Sequence, residues 1–385
     1  MLFSVKIKFF QGIIVMKYAK LIVSESEHNS NMRYACGFAA PDEFIFFELP
    51  DGGGRHIVMS VLEFDRAKSE AKPGVAVHPE AQFGGAGAID ELFRIAALHS
   101  LDGFSVPADF PLLTADEMRS AGLSVIAEPG EFWPERQFKT RVEADEIVKA
   151  LRATEQGMRR AFAMIAAAEI GADNALLLEG APLTSERLRT AIELEFMRNG
   201  ATAESTIVAG GVQGARPHCE GSGQIYAGTP IVMDLFPRLR SSGYWGDLTR
   251  TVVKGRAPDI VKKAFETVLE ARENAKKALR PGVIPADVHN QCADFLAVSG
   301  FHTGTGKDGA FGFFHGLGHG VGLDIHEAPR LNSRNRAPLR GGEVVTVEPG
   351  VYYPEWGGIR LEDMVYITPE GGECLTEIET FLEIK

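Results

Sequence analysis

Two apolar stretches of this chain each run into a carboxylate, turn, and return to a second carboxylate. Asp234 closes Pro230-Ile231-Val232-Met233, and Asp247 follows thirteen residues later in Gly243-Tyr244-Trp245-Gly246-Asp247-Leu248-Thr249-Arg250-Thr251. Glu348 lies in Val347-Glu348-Pro349-Gly350, and Glu362 in Gly358-Ile359-Arg360-Leu361-Glu362-Asp363. Short apolar runs bounded by Gly and Pro read as strands over 231–234, 247–253, 344–348 and 358–368. Turn residues separate the members of each pair, so two hairpins are expected, each carrying its two acids to one end of a sheet.

Between the hairpins stands His319, in Gly318-His319-Gly320-Val321-Gly322, where glycines let the backbone approach a crowded site. Each piece alone has a plain structural explanation. A strand-end Asp is an ordinary cap, Glu-Pro-Gly an ordinary turn, and a Gly-rich stretch with no following dinucleotide pattern is only a loop. Together, four carboxylates and one imidazole can hold two divalent ions. Mostly oxygen donors favour Mn²⁺, Co²⁺ or Fe²⁺ over a thiolate-loving metal, with Zn²⁺ a further option. Such a pair of ions activates water and polarises a carbonyl, which is the chemistry of amide hydrolysis.

Helical periodicity is expected over 89–99, and then over 140–168, 184–198, 258–279 and 285–300. The last three are punctuated by Thr184, Gly200, Pro281-Gly282, Pro285 and Gly300. The first third alternates strands (43–47 and 56–61, around the turn 50–54) with helix, and holds no cluster of reactive groups. A compositional change near Pro134 opens a second, larger domain. Residues 1–15 are apolar, but Lys6 and Lys8 interrupt them and no small-residue cleavage site follows. They read as a first strand, or as an extended start ahead of an initiator at Met16.

The net charge of -12 argues against a nucleic-acid surface. No uncharged run suits a membrane helix. Cys36, Cys219, Cys292 and Cys374 are widely spaced, without a CxxC pair, and read as reduced thiols of a cytoplasmic protein.

Three segments make a family resemblance specific. They are Asp234 through Thr251, then His315-Gly316-Leu317-Gly318-His319-Gly320-Val321-Gly322-Leu323-Asp324-Ile325-His326-Glu327-Ala328-Pro329, then Val347-Glu348-Pro349-Gly350 with Ile359-Arg360-Leu361-Glu362-Asp363. From about residue 140 onward the chain resembles the pita-bread metallopeptidases (M24), the group of methionine aminopeptidases, prolidases and Xaa-Pro aminopeptidases. The resemblance implies a creatinase-like α/β N-terminal domain over 1–139 and an α+β pita-bread (creatinase/aminopeptidase) catalytic domain over 140–385. It implies two metals, with Asp234, Glu348 and His319 on individual ions and Asp247 and Glu362 bridging. It further implies His218 beside the scissile amide, His326 at the substrate carbonyl, and Glu348 as the proton shuttle. The family commonly places its two Asp eleven residues apart; the interval of thirteen here puts the intervening loop shape in question.

His315, four residues before His319, and the extra N-terminal domain both point to the proline-directed branch. Arg360 is expected either to meet a substrate carboxylate or to form a structural ion pair. His28, His56, His78, His99, His289 and His302 read as surface or satisfied core groups. The implied activity is removal of the first residue from short peptides with proline second, an Xaa-Pro aminopeptidase acting as a homodimer. A prolidase-type Xaa-Pro dipeptidase is the alternative, and a non-catalytic pita-bread binding module is the alternative of another class.

Overall fold

A computed structural model describes residues 16–85, 87–307 and 309–385; the expectations for residues 1–15 lie outside them. The chain divides into two units, Met1–Pro134 and Glu135–Lys385.

In the first unit six strands, β1 (Tyr18–Ser24), β2 (Phe44–Glu48), β3 (Arg55–Met59), β4 (Val75–Pro79), β5 (Gly103–Val106) and β6 (Ser124–Ala127), form one sheet of order β4-β3-β2-β1-β5-β6. Helices α1 (Ser30–Cys36), α2 (Phe64–Glu70), α3 (Ala88–His99) and α4 (Leu112–Ser120) accompany it. Side chains alternate between the two faces of a strand. Leu21, Val23, Ile45, Phe47 and Val58 therefore join Leu92 and Ile95 of α3 in one core. Ile22, Phe44, Phe46, Ile57 and Met59 join Met32 of α1 in another. Burial on both faces is why Phe44-Ile45-Phe46-Phe47 reads as an unbroken apolar run rather than an alternating one. The expected strand 56–61 is shorter than its apolar run: β3 stops at Met59, and Val61 and Leu62 sit in an exposed turn.

The second unit begins at the compositional change near Pro134, five residues before the catalytic span that the resemblance implies. Residues 135–139 go with it because the Lys139 N–H donates to the Gly342 carbonyl at 2.7 Å and Arg136 pairs with Glu327 at 2.9 Å. The long helix α5 (Arg141–Ala167) starts at a reciprocal cap in which Thr140 and Glu143 bond each other's backbone N–H. Its apolar stripe, including Ile147, Leu151, Met158 and Ile165, is buried. Helices α6 (Ser185–Arg198), α7 (Asp259–Ala278) and α8 (Pro285–Val298) fall where the sequence punctuation places them.

Strands β7 (Thr206–Gly210), β8 (Ile231–Leu235) and β9 (Leu248–Lys254) lie side by side, with the short strand Glu383–Ile384 beyond β9. A second sheet runs from β11 (Glu327–Leu331) through β10 (Gly318–Gly320) and β12 (Val344–Val347) to β15 (Asp363–Thr368) and Gly371–Cys374. Strands β13 (Gly350–Tyr353) and β14 (Gly357–Arg360) pair with each other. The expected single strand 358–368 is thus two strands, β14 and β15. The ladder breaks at Glu362 because its N–H turns to the Thr249 carbonyl, at 3.0 Å, instead of to its hairpin partner. No described helix is long and apolar enough to cross a membrane.

Candidate metal centre

In the first hairpin Asp234 lies directly opposite Thr249, and Asp247 immediately precedes β9. Alternation puts Asp247 on the same face as Thr249, diagonal to Asp234. The thirteen-residue interval is taken up by Arg238 and Leu239, which pair with Thr202 and Ala201, and by Trp245, whose indole donates to the Leu323 carbonyl at 3.0 Å. The surplus length makes a side excursion and leaves the two carboxylates in place.

The second hairpin keeps one register on both sides of its break: Val347 faces Asp363, and Gly350 faces Arg360. Glu348 and Glu362 occupy opposite positions in that register. Residues two apart share a face, so Tyr352 and Arg360 point the same way as the two glutamates.

His319 sits at the centre of β10. A Cβ on Gly318 or Gly320 would run into the carbonyl oxygens of Thr346 and Ala328, so only glycine allows this approach. The His319 N–H donates to Thr346 Oγ1 at 3.1 Å, and Nδ1 lies 3.2 Å from the Gly320 carbonyl. A proton on Nδ1 leaves the Nε2 lone pair aimed at Asp247 Oδ2 and Glu348 Oε1, each 3.5 Å away. Ligand atoms of Asp247, His319 and Glu362 all lie within 4.8 Å of one another.

Electrostatics test whether cations fit here. Burial, reinforced by the charges of Asp234 and Glu348, holds the Asp247 carboxyl well above its ordinary range. Burial and then Asp247 do the same to Glu362. Burial pushes Glu348 up to about 8, with Arg360 pulling against it and Asp234 adding to it. His319 is driven down to about 3, first by burial and then by His326. Three buried acids that resist ionisation around a neutral imidazole are short of positive charge, and their hard oxygen and nitrogen donors suit divalent metal.

One cation is already committed. All three guanidinium nitrogens of Arg360 are bonded within the protein: to Thr249 Oγ1 (3.2 Å), Tyr352 Oη (2.8 Å) and Asp234 Oδ2 (2.6 Å), the last nitrogen also reaching the Pro217 carbonyl (3.4 Å). Only 3% of Arg360 is exposed, and each of its guanidinium nitrogens already has a partner within the protein. Of the two contacts expected for it, the ion pair is present, with Asp234. Thr249 donates in turn to Glu362 Oε2 at 2.8 Å.

The site opens into a cavity of about 740 Å³ lined by these acids together with His218, His315, His326, Arg330, Phe314 and Tyr352. His218 is exposed in a turn at the rim. His326 sits edge-on to His319, ring centres 4.3 Å apart. His315 is engaged at both nitrogens, by the Gly316 carbonyl (2.7 Å) and Tyr352 Oη (2.9 Å), and burial with Arg360 nearby takes it down to about 3. It lines the cavity as a neutral imidazole that braces Tyr352.

Sequence reading missed Arg330. It lies opposite His319 across β10 and β11, and so on the same face. Among the described residues its guanidinium has no hydrogen-bond or ion-pair partner. Tyr352 was missed as well, although alternation from Glu348 would have found it.

A buried carboxylate cluster with one imidazole, at the base of a cavity in a sheet-and-helix unit of this topology, defines a metal-dependent hydrolase. The comparisons carry this further. The model of metallopeptidase family M24 matches residues 145–369. The chain is 30% identical over 336 residues to the Xaa-Pro dipeptidase of Pyrococcus furiosus, covering 86% of each. It superposes on an X-Pro aminopeptidase of Thermotoga maritima with a TM-score of 0.81 at 26% identity, covering 95% of this chain and 97% of that one. A prolidase of Pyrococcus horikoshii gives 0.78 at 27% identity, covering 95% of each. The chain belongs to metallopeptidase family M24, and its two-unit architecture is that of the pita-bread enzymes.

Proposed function

We propose that this metallopeptidase is an Xaa-Pro dipeptidase, and that Arg330 selects the dipeptide. A dipeptide carries its free carboxylate one residue beyond the scissile bond; a longer peptide does not. An unpaired guanidinium on the same sheet face as His319 can receive that carboxylate. The names of the Pyrococcus relatives support the same reading.

In this proposal Asp234, Asp247, His319, Glu348 and Glu362 would hold two divalent ions, with Mn²⁺ the first choice. Such ions lower the pKa of a bound water towards ~7 and polarise the scissile carbonyl. Glu348 takes the proton of the attacking water and returns it to the proline nitrogen as the C–N bond breaks. The nitrogen of any amide must be protonated to leave as an amine, and the proline nitrogen, tertiary in the peptide, departs as a secondary amine carrying that proton. His326, kept neutral by burial and then by Arg330, donates to the developing oxyanion. His218 orients the amide from the rim. Arg360, through Tyr352 and Asp234, holds the acids in place. The same reading takes the protein to be a cytoplasmic homodimer, and light scattering tests the dimer.

The Thermotoga neighbour and the roomy cavity favour an Xaa-Pro aminopeptidase as the second reading. The test strips the protein with chelator, restores Mn²⁺, and follows an Xaa-Pro dipeptide and an Xaa-Pro-Yaa tripeptide by mass spectrometry. Arg330→Met should raise the dipeptide KM roughly 10- to 100-fold, the loss of one charged hydrogen bond. Preferred cleavage of the tripeptide, unaffected by Arg330→Met, selects the aminopeptidase. No cleavage of either, with two metals bound, points to another amide.

A further inference from the structure

His326 is carried on a loop that leaves β10 at Gly320 and rejoins β11 at Glu327, where the strand pairing shifts register beside His319. Its next neighbour, Glu327, does not line the cavity. The Glu327 side chain is 7% exposed and collects three donors. Lys139 Nζ donates to Oε1, Arg136 Nη2 to Oε2 at 2.9 Å, and the Asp324 backbone N–H approaches Oε2 at 3.4 Å. The same Arg136 nitrogen reaches Asp324 Oδ2 at 2.8 Å. One guanidinium therefore brackets both ends of the turn 324–327 that presents His326. Gly322 completes the enclosure, because a Cβ there would overlap the Glu327 carboxylate.

The clamp comes from the segment that leads into α5. Lys139 is fixed by its own N–H to Gly342 at 2.7 Å, and its Nζ also reaches the Gln137 carbonyl at 3.4 Å. Neither Arg136 nor Lys139 lines the cavity. Buried ion pairs add little net stability over an apolar core of the same shape, while removing one partner alone is strongly disruptive. Such a network is suited to setting a geometry.

We propose that Glu327, held by Arg136 and Lys139, is the positioning residue that fixes the His326 imidazole over the metal centre. This rests on the reading that His326 contacts the substrate carbonyl. His326 lines the cavity while its chain neighbour Glu327 does not, so a locked Glu327 carboxylate holds the backbone from which the His326 imidazole projects. Displacements near 1 Å in such a group can cost ~10²-fold in rate.

The test uses the metal-loaded protein and two independent readouts. Glu327→Gln and Lys139→Met should each lower kcat on an Xaa-Pro dipeptide roughly 10- to 100-fold, with KM nearly unchanged and two metals still bound. Glu327→Gln combined with His326→Ala should be no slower than His326→Ala alone. In histidine-labelled protein loaded with diamagnetic Zn²⁺, the His326 resonance, assigned by its loss in His326→Ala, should move in Glu327→Gln while that of His218 stays. Lys139→Arg keeps the charge and should restore most of the rate, which covers the case in which Lys139→Met does not fold. Multiplying losses in the double variant, or a His326 resonance unmoved by Glu327→Gln, overturns the clamp. If His326→Ala itself leaves turnover intact, the role of His326 falls, and the resonance alone decides whether the clamp positions it.

Discussion

Each unit of this chain gathers histidines, and the two gatherings behave differently. In the first unit His56 on β3, His78 on β4 and His99 at the end of α3 lie together. His56 Nδ1 is 3.0 Å from His78 Nε2, His56 Nε2 is 3.1 Å from the Gly53 carbonyl, and the His56 ring stacks on Phe47. Burial lowers the pKa of His56 and His99, and no carboxylate figures among the groups that shift them. In the second unit His315, His319 and His326 are also kept neutral by burial, yet His319 faces Asp247 and Glu348 at 3.5 Å. Clustering and lowered basicity are common to both. What sets the second group apart is the surplus of buried negative charge around it. Buried acids without enough internal cations mark the site; the histidines alone do not.

The comparison breaks hardest at the acids. Asp247→Asn or Glu362→Gln should cost on the order of 10³-fold or more in kcat and remove at least one equivalent of bound metal. Metal content by mass spectrometry, read beside turnover, checks it. Full activity with one metal missing would mean that the carboxylate surplus is not what distinguishes the second group.

Chelation sharpens the same contrast through pH. The Glu348 carboxyl moves from 4.5 to about 8, and Asp247 and Glu362 also shift upward. Between those values the folded chain keeps protons that the unfolded chain releases, so stability falls as pH rises through this window. His315 and His319 act oppositely: lowered from 6.5 to about 3, they remove stability as pH falls below 6.5. Above pH 6.5 only the acids matter. The metal-free protein should lose on the order of 5 °C in Tm between pH 6.5 and 8. Metal-loaded protein, whose cations replace those protons, should change much less. Parallel melts with and without chelator measure the difference.

Much of this was legible in the sequence because the chain advertises hairpins locally. Apolar runs, turn residues and alternation bring Asp234 to Asp247 and Glu348 to Glu362 within each hairpin, and the family resemblance implies that the two pairs meet. The helices were legible for the same reason, through Thr184, Pro285 and the terminal glycines. Arg330 was not, because its partnership with His319 crosses a register shift that counting by twos cannot follow. The commitment of Arg360 was equally hidden, since Thr249, Tyr352 and Asp234 reach it from three other strands. The break at Glu362 looks like continuous strand until Thr249 is seen to take its N–H.

The smallest expected effect closes the contrast from the other side. His56→Phe keeps the ring against Phe47 but breaks the hydrogen bonds to His78 and Gly53, which lie on a half-buried surface. Losing neutral, partly hydrated hydrogen bonds while retaining the apolar contact should cost about 1 kcal/mol or less, a shift of ~2–4 °C in Tm. Turnover and metal content should not change, because none of the first group's nitrogens faces an acid that could share a cation with it. A fall in kcat with His56→Phe at unchanged metal content would mean that the first unit's histidines also bear on the reaction, and that buried acid is too narrow a criterion for where this protein does its chemistry.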